Sequence, residues 1–216
     1  MEAKVQENIS VSAPQVQRER RTGGKGYLLV KRLFDIVFAL FFGILLLLPM
    51  LIIGLLVRLD SKGPALFKQE RLGLNGKPFM MYKFRSMHID AEEHGPQWAQ
   101  PNDARCTKFG RFLRQSRLDE LPQVWNILLG QMSVVGPRPE RAYFYDKFEA
   151  YIPNFRQRLQ VKPGLTGYAQ VNGGYELLPE EKLVYDMEYI ANRSLWLDIV
   201  CMFKTVRLIF THEGAR

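Results

Sequence analysis

One stretch of the chain is almost wholly apolar, and elsewhere apolar positions alternate or recur at helical spacing. From Ile36 to Val57 the sequence is nearly uncharged for about 22 residues, or roughly 33 Å as a helix, which matches a bilayer core. The run starts after Asp35, is too long for a signal-peptide core and lacks a small-residue cleavage site, so it reads as a retained membrane element. Arg18, Arg20, Arg21, Lys25, Lys31 and Arg32 precede it and Arg58, Lys62, Lys68 and Arg71 follow it, so both flanks read as cytoplasmic. A re-entrant helix–break–helix, broken at Pro49, reconciles two cytoplasmic flanks with a single run. A kinked spanning helix is the alternative, and charge counting does not separate the two. A buried acid at Asp35 would be costly unless paired with Lys31 and Arg32 or lying at headgroup level, so Asp35 is expected to mark the interface.

Beyond this run, period-two alternation over residues 65–69 and 79–84, separated by Gly73, Asn75, Gly76 and Pro78, predicts a β-hairpin. Lys108 to Gln115 predicts a short basic amphipathic helix. Leu121, Val124, Trp125, Leu128 and Leu129 predict another, with Pro122 in its first turn and a stop at Gly130. Leu178 to Ile190 and Leu195 to Phe210 complete the helices. The last places Ile199, Met202, Phe203, Val206, Ile209 and Phe210 on one face, suited equally to a membrane interface or to a core. Residues 1–26 lack apolar periodicity and read as a disordered or surface arm, and residues 89–104 read as a loop.

The fold class is therefore α+β and mostly helical. Its parts are an arm (1–26), a re-entrant membrane helix pair (27–61) and a small cytosolic or interfacial domain carrying the hairpin and interfacial helices (62–213). Composition narrows the partners. The 216 residues are 47% hydrophobic and carry a formal net charge of +8, an excess suited to lipid headgroups, nucleotide diphosphates or nucleic acid. The basic residues are spread along the chain without the interleaved aromatics of single-strand readers, which argues against nucleic acid. Cys106 and Cys201 stand far apart without a CxxC, and His88, His94 and His212 lack metal-ligand spacing, so a structural zinc is not expected. The sequon Asn192-Arg193-Ser194 reads as a chance match.

Two segments carry candidate chemistry. Leu118-Asp119-Glu120-Leu121-Pro122-Gln123 sets adjacent carboxylates at an expected helix start, where Asp119 would sit near the N-cap and be held ionised by unpaired N–H groups, as a nucleophile or metal ligand requires. A simple capping role is the competing reading. In Gly136-Pro137-Arg138-Pro139-Glu140 the prolines stiffen the backbone around Arg138, whose guanidinium suits bidentate contact with phosphate; pairing with a local acid such as Glu140 is the alternative. The glycine-rich stretch 161–174 fits neither GxxxxGK[ST] nor GxGxxG, so it is not read as a phosphate loop.

Lys31-Arg32-Leu33-Phe34-Asp35-Ile36, Tyr82-Lys83-Phe84-Arg85-Ser86-Met87, Leu118 to Gln123, Gly136-Pro137-Arg138-Pro139 and Pro163-Gly164-Leu165-Thr166-Gly167 through Asn172-Gly173 occur in an order that resembles the bacterial sugar transferases, the monotopic phosphoglycosyl transferases. The resemblance covers about residues 27–213. It implies an enzyme of the bacterial inner membrane, facing the cytoplasm, that transfers a sugar 1-phosphate from a UDP-sugar to undecaprenyl phosphate with Mg²⁺ and releases UMP, initiating exopolysaccharide, capsule or O-antigen synthesis. It further implies a covalent phosphosugar on Asp119, with Glu120 completing an acid–metal site and Lys83, Arg138 and, more weakly, Arg85 meeting phosphate. The chain departs from the family in having Leu48 before Pro49, where serine is common and its hydroxyl could satisfy a backbone group freed at the bend. A noncatalytic scaffold of envelope-polysaccharide assembly is the alternative, which the intact set Asp119, Glu120, Lys83 and Arg138 argues against. The sugar is not legible. Because the apolar faces suit lipid, core or a partner chain, a homodimer stays open.

Overall fold

The structure, a computed structural model, describes residues 24–93, 95, 97, 103–173 and 177–211. Most of the arm, His94 and part of the 89–104 loop, and His212 lie outside the described residues.

The apolar run forms two helices, α1 (Lys25–Leu45) and α2 (Leu47–Asp60), bent by 62° at Leu46. Among the described residues no single helix is long and apolar enough to cross a membrane. The break falls upstream of the expected site, because Pro49 sits in the first turn of α2 rather than at the bend. Proline has no N–H for the carbonyl four residues earlier and its ring displaces that carbonyl. The carbonyl belongs to Leu45, the last residue of α1. Bonding resumes on either side, with Leu46 N–H donating to Phe42 O at 2.9 Å and Met50 N–H donating to Leu46 O at 2.8 Å. Pro49 thus explains a break located at Leu46.

The pair leaves Leu29, Phe41, Ile44, Leu48, Leu51 and Leu59 exposed, while Ala39, Ile53 and Val57 turn inward. Ile53 and Val57 pack with Phe84 and Leu113, so α2 shares a core with the body of the protein. Polar groups at the start of α1 fasten it as well. Lys31 Nζ donates to Asp198 at 2.7 Å, and Arg32 donates to the carbonyls of Ile127 and Leu128 at 2.6 and 2.8 Å. Asp35 takes its hydrogen bonds from within the protein and not from Lys31 or Arg32. It is 2% exposed and accepts from Ser133 Oγ at 3.0 Å and from Val134 N–H at 2.9 Å, bonds that satisfy a carboxylate inside the protein.

The expected hairpin is present as β1 (Leu66–Leu72) and β2 (Pro78–Phe84), antiparallel with Leu66 opposite Phe84 and joined through a turn in which Asn75 has φ 56°. The expected basic helix is α3 (Lys108–Gln115), whose Thr107 side chain caps Gly110 N–H at 2.9 Å. The element expected from Leu121 onward is divided. A 3-10 turn over Leu118–Gln123 leads into a five-residue helix, α4 (Val124–Leu128). Asn126 of α4 closes the open edge of β2, its Oδ1 accepting from Tyr82 N–H at 3.0 Å and its Nδ2 donating to Met80 O at 2.7 Å.

After α4 come β3 (Ser133–Val135), α5 (Ala142–Glu149), a 3-10 turn (Phe155–Gln160), β4 (Gly164–Thr166), α6 (Tyr168–Gly173), α7 (Pro179–Asn192) and α8 (Leu195–Thr211). β3 and β4 pair in parallel. Here the glycine-rich stretch has its physical account. A Cβ on Gly164 would lie 2.1 Å from Gly136 N, and one on Gly167 would lie 2.2 Å from Gly136 O, so the glycines permit two backbones to touch. On α8, Cys201 is fully buried and Met202 packs against the same core, whereas Trp196, Ile199, Phe203 and Val206 form an exposed stripe. The expected face is therefore split by Met202, and the side chains of Ile209 and Phe210 lie outside the described residues.

Candidate active site

Three elements deliver the charged groups. β2 carries Lys83, the 3-10 turn at Leu118–Gln123 carries Asp119 and Glu120, and the turn after β3 carries Arg138. Asp119 lies in the first turn, near the N-cap as expected, but the N-cap position itself is Arg117 and no side chain caps it. Arg117 is in the left-handed region, φ 58°, and Pro122 falls within the turn, where its φ is compatible and its missing donor is tolerated. This geometry buries Asp119 to 8% exposure.

Glu120 gathers the cations. Lys83 Nζ donates to Glu120 Oε1 at 2.8 Å, and Arg138 grips the same carboxylate with both terminal nitrogens, NH2 on Oε1 and NH1 on Oε2 at 3.3 Å. The pairing expected as the alternative for Arg138, with Glu140, is not formed: Glu140 accepts instead from Arg71 at 3.0 Å. Asp119 takes none of these ion pairs.

The two acids are driven apart in proton affinity. Burial pushes the Asp119 carboxyl up to about 6; Lys83 opposes this and the charge on Glu120 reinforces it. Burial also acts to raise Glu120, but Arg138 and Lys83 outweigh it and hold that carboxyl well below the usual range. The helix-end effect expected to keep Asp119 acidic is thus overridden by desolvation.

The groups open into a cleft of about 400 Å³. Ten of its lining residues are Arg or Lys and five are Asp or Glu, a balance that favours an anionic ligand. Among the described residues no cluster of three or more His, Cys, Asp or Glu could by itself hold a metal ion. Mg²⁺ does not need one, since it is commonly held by one or two carboxylates with water and phosphate oxygens. Asp119 and Glu120 fit that donor set, Asp119 more readily because Glu120 is already engaged.

Arg85, the weaker candidate for phosphate binding, is engaged elsewhere in this structure. It borders the cleft, but its guanidinium donates to Lys62 O at 2.9 Å and to Ser61 O at 2.6 Å, closing the end of α2. Four other residues matter to the site and were not singled out by motif. Asn126 fixes β2 beside Lys83. Arg71 donates to Pro139 O at 3.1 Å, and Arg158, paired with Asp186 at 2.6 Å, donates to Arg138 O at 3.1 Å. Each acts across a long sequence separation, so no local pattern marks it.

A family model described as bacterial sugar transferase matches residues 26–212. The chain belongs to that family. This bacterial sugar transferase is 45% identical over 194 residues to an Aeromonas hydrophila protein named UDP-N-acetylgalactosamine-undecaprenyl-phosphate N-acetylgalactosaminephosphotransferase; the match covers 88% of the chain and 46% of the relative. It is 48% identical over 168 residues to a Xanthomonas campestris UDP-glucose:undecaprenyl-phosphate glucose-1-phosphate transferase, covering 74% of the chain and 34% of the relative. A Caulobacter vibrioides protein of the same name is 43% identical over 192 residues, covering 86% and 71%. The sugar transferase chain thus spans less than half the length of the first two relatives.

Proposed function

We propose that this chain transfers a sugar 1-phosphate from a UDP-sugar to undecaprenyl phosphate and releases UMP, with Asp119 as the nucleophile. The observation that carries this reading is the division of labour between adjacent acids: Glu120 holds Lys83 and Arg138 in the cleft, while Asp119, beside it, takes no ion pair among the described residues. The names of the relatives, which act with UDP-sugars and undecaprenyl phosphate, support the same substrate classes.

An Asp119 oxygen attacks the phosphorus bearing the sugar, the bond from that phosphorus to the bridging oxygen breaks, and UMP departs with the bond's electrons. Lys83 and Arg138 are placed to donate to the phosphate oxygens as charge shifts. An oxygen of the lipid phosphate then attacks the same phosphorus, the carboxylate of Asp119 is restored, and a polyprenyl diphosphate sugar is formed. Because its proton affinity is depressed, Glu120 is a weak proton acceptor, and its role is to collect the two cations. Mg²⁺, held by Asp119 and Glu120, would supply further neutralisation of the diphosphate when bound. Protein mixed with UDP-sugar and Mg²⁺ but no polyprenyl phosphate should release about one UMP per site and gain the sugar-phosphate mass. Turnover seen only with both substrates present, with no adduct, would reject the covalent path and leave the overall reaction standing. No UMP release with any UDP-sugar, even with lipid acceptor, would favour a noncatalytic scaffold.

The exposed apolar surface of α1 and α2 supports seating the bent pair in the cytoplasmic leaflet of the inner membrane, with the cleft on the cytoplasmic side. Cysteines placed at Lys25 and Lys62 should then both be shielded from an impermeant thiol reagent outside the cell. Pro49→Ala restores the missing donor to Leu45 O, so in that variant the Lys62 site should become labelled in part and activity should fall. Opposite accessibility of the two sites in the unaltered protein would overturn the re-entrant topology.

A further inference from the structure

We infer that Arg158 is a positioning residue that tunes phosphate transfer through the backbone of Arg138; this rests on the reading of Arg138 as a phosphate contact. Arg158 lies in the 3-10 turn Phe155–Gln160 and is 2% exposed. Its guanidinium is fixed from several sides. Nε donates to Asp186 of α7 at 2.6 Å, the group lies 4.9 Å from the centre of the Phe155 ring, and NH2 donates to the main-chain oxygen of Arg138 at 3.1 Å. A planar fork anchored by its acid at one nitrogen has little freedom at the next, so the Arg138 carbonyl is held in a set direction.

The following carbonyl is held in the same way by a second arginine. Arg71 of β1 donates to Pro139 O at 3.1 Å and to Glu140 at 3.0 Å. Two consecutive carbonyls in the turn that presents Arg138 therefore take their donors from arginines on separate elements, each with its own acid, while Pro137 and Pro139 restrict the remaining torsions. Neither carbonyl takes part in the two bridges of the β3–β4 ladder, Ser133 with Gly164 and Val135 with Thr166. The Arg158 guanidinium lies over the rings of Tyr145 and Phe155, both members of a buried apolar cluster, and also borders the cleft. A buried ion pair is commonly no more stabilising than apolar residues of similar volume. What the pair supplies that an apolar substitute would not is the directed N–H toward Arg138, whose side chain in turn grips Glu120 beside Asp119. Misplacement of such a group by about 1 Å costs roughly 100-fold in rate.

Four proteins test this: wild type, Arg138→Met, Arg158→Met with Asp186→Leu, and the triple variant. Each is measured for the lipid-independent UMP burst and, separately, for UDP affinity by calorimetry. The double variant removes both charges together, so it should keep a cooperative thermal transition while its burst slows roughly 100-fold. The triple variant should match Arg138→Met in both readouts, because Arg158 then has nothing left to position. Losses that multiply in the triple variant would mean that Arg158 meets the substrate directly, and a double variant at wild-type rate and affinity would mean a purely structural pair; either overturns the inference. If the double variant fails to fold, the comparison passes to Arg158→Lys in the wild-type and Arg138→Met backgrounds, where a loss confined to the wild-type background supports positioning and equal losses in both reject it. Absence of a burst in wild type would count against the covalent reading, whereas the UDP affinities still decide the role of Arg158.

Discussion

Asp119→Asn should yield a protein that is inert in the UMP burst and more stable than wild type at pH 8. An amide is a poor nucleophile, so both burst and adduct should vanish, a loss of at least about a thousandfold. The stability gain follows from burial. The Asp119 carboxyl titrates near 6 when folded, against 3.8 for the unperturbed group, so the folded state binds protons more tightly than the unfolded chain. Stability from this group is present in full below the unfolded value, falls as pH rises through the window up to about 6, and is absent above it. Asparagine has no such loss, and the difference at pH 8 is on the order of 1–3 kcal/mol. Thermal unfolding in detergent and EDTA, compared at pH 8 and pH 4, should show the variant ahead at the higher pH and the gap closing at the lower. Equal midpoints at both would mean that Asp119 is not held in a desolvated site. The same titration makes the wild-type burst rate decline as pH drops below about 6.

Asp186→Leu should be among the most damaging single changes outside the cleft chemistry. It strands the Arg158 guanidinium, which is 2% exposed, without its acid, and breaking a buried pair in this way costs about 3–5 kcal/mol. For a chain of this size that corresponds to a fall in melting midpoint on the order of 10 °C. Adding Arg158→Met removes the stranded charge and should recover most of the loss, a coupling that a double-mutant cycle in thermal unfolding measures directly. An Asp186→Leu midpoint within a degree or two of wild type would show that the guanidinium finds another partner or reaches water.

The two outcomes mark where sequence pattern carries information and where it does not. β1, β2 and α3 were legible because alternation, turn residues and a basic amphipathic pattern are local signals. The gathering of Lys83, Glu120 and Arg138 was expected from ordered motifs, and the structure brings their side chains together. The raised proton affinity of Asp119 was not legible because its largest cause is burial, not the turn that contains it. β3 and β4 were missed because three-residue strands give too short a period to detect, and their glycines resemble a loop until the opposing backbone is seen. Pro49 was singled out as the break, and the bend lies upstream of it, beside the residue whose carbonyl it displaces. Arg85 looked like a phosphate ligand by its place beside Lys83, yet the end of α2 claims it.

The polar residues at the start of α1 fix how the cleft stands relative to α1. Lys31, Arg32 and Asp35 occupy little more than one helical turn, and they bind α8, the end of α4 and β3 respectively. α4 continues directly from the turn that bears Asp119. With α1 seated in the leaflet as proposed, that single turn acts as a gauge: it sets the altitude of Asp119 above the hydrocarbon, so a lipid-borne phosphate arrives at a height fixed by the protein rather than searched for by a mobile domain.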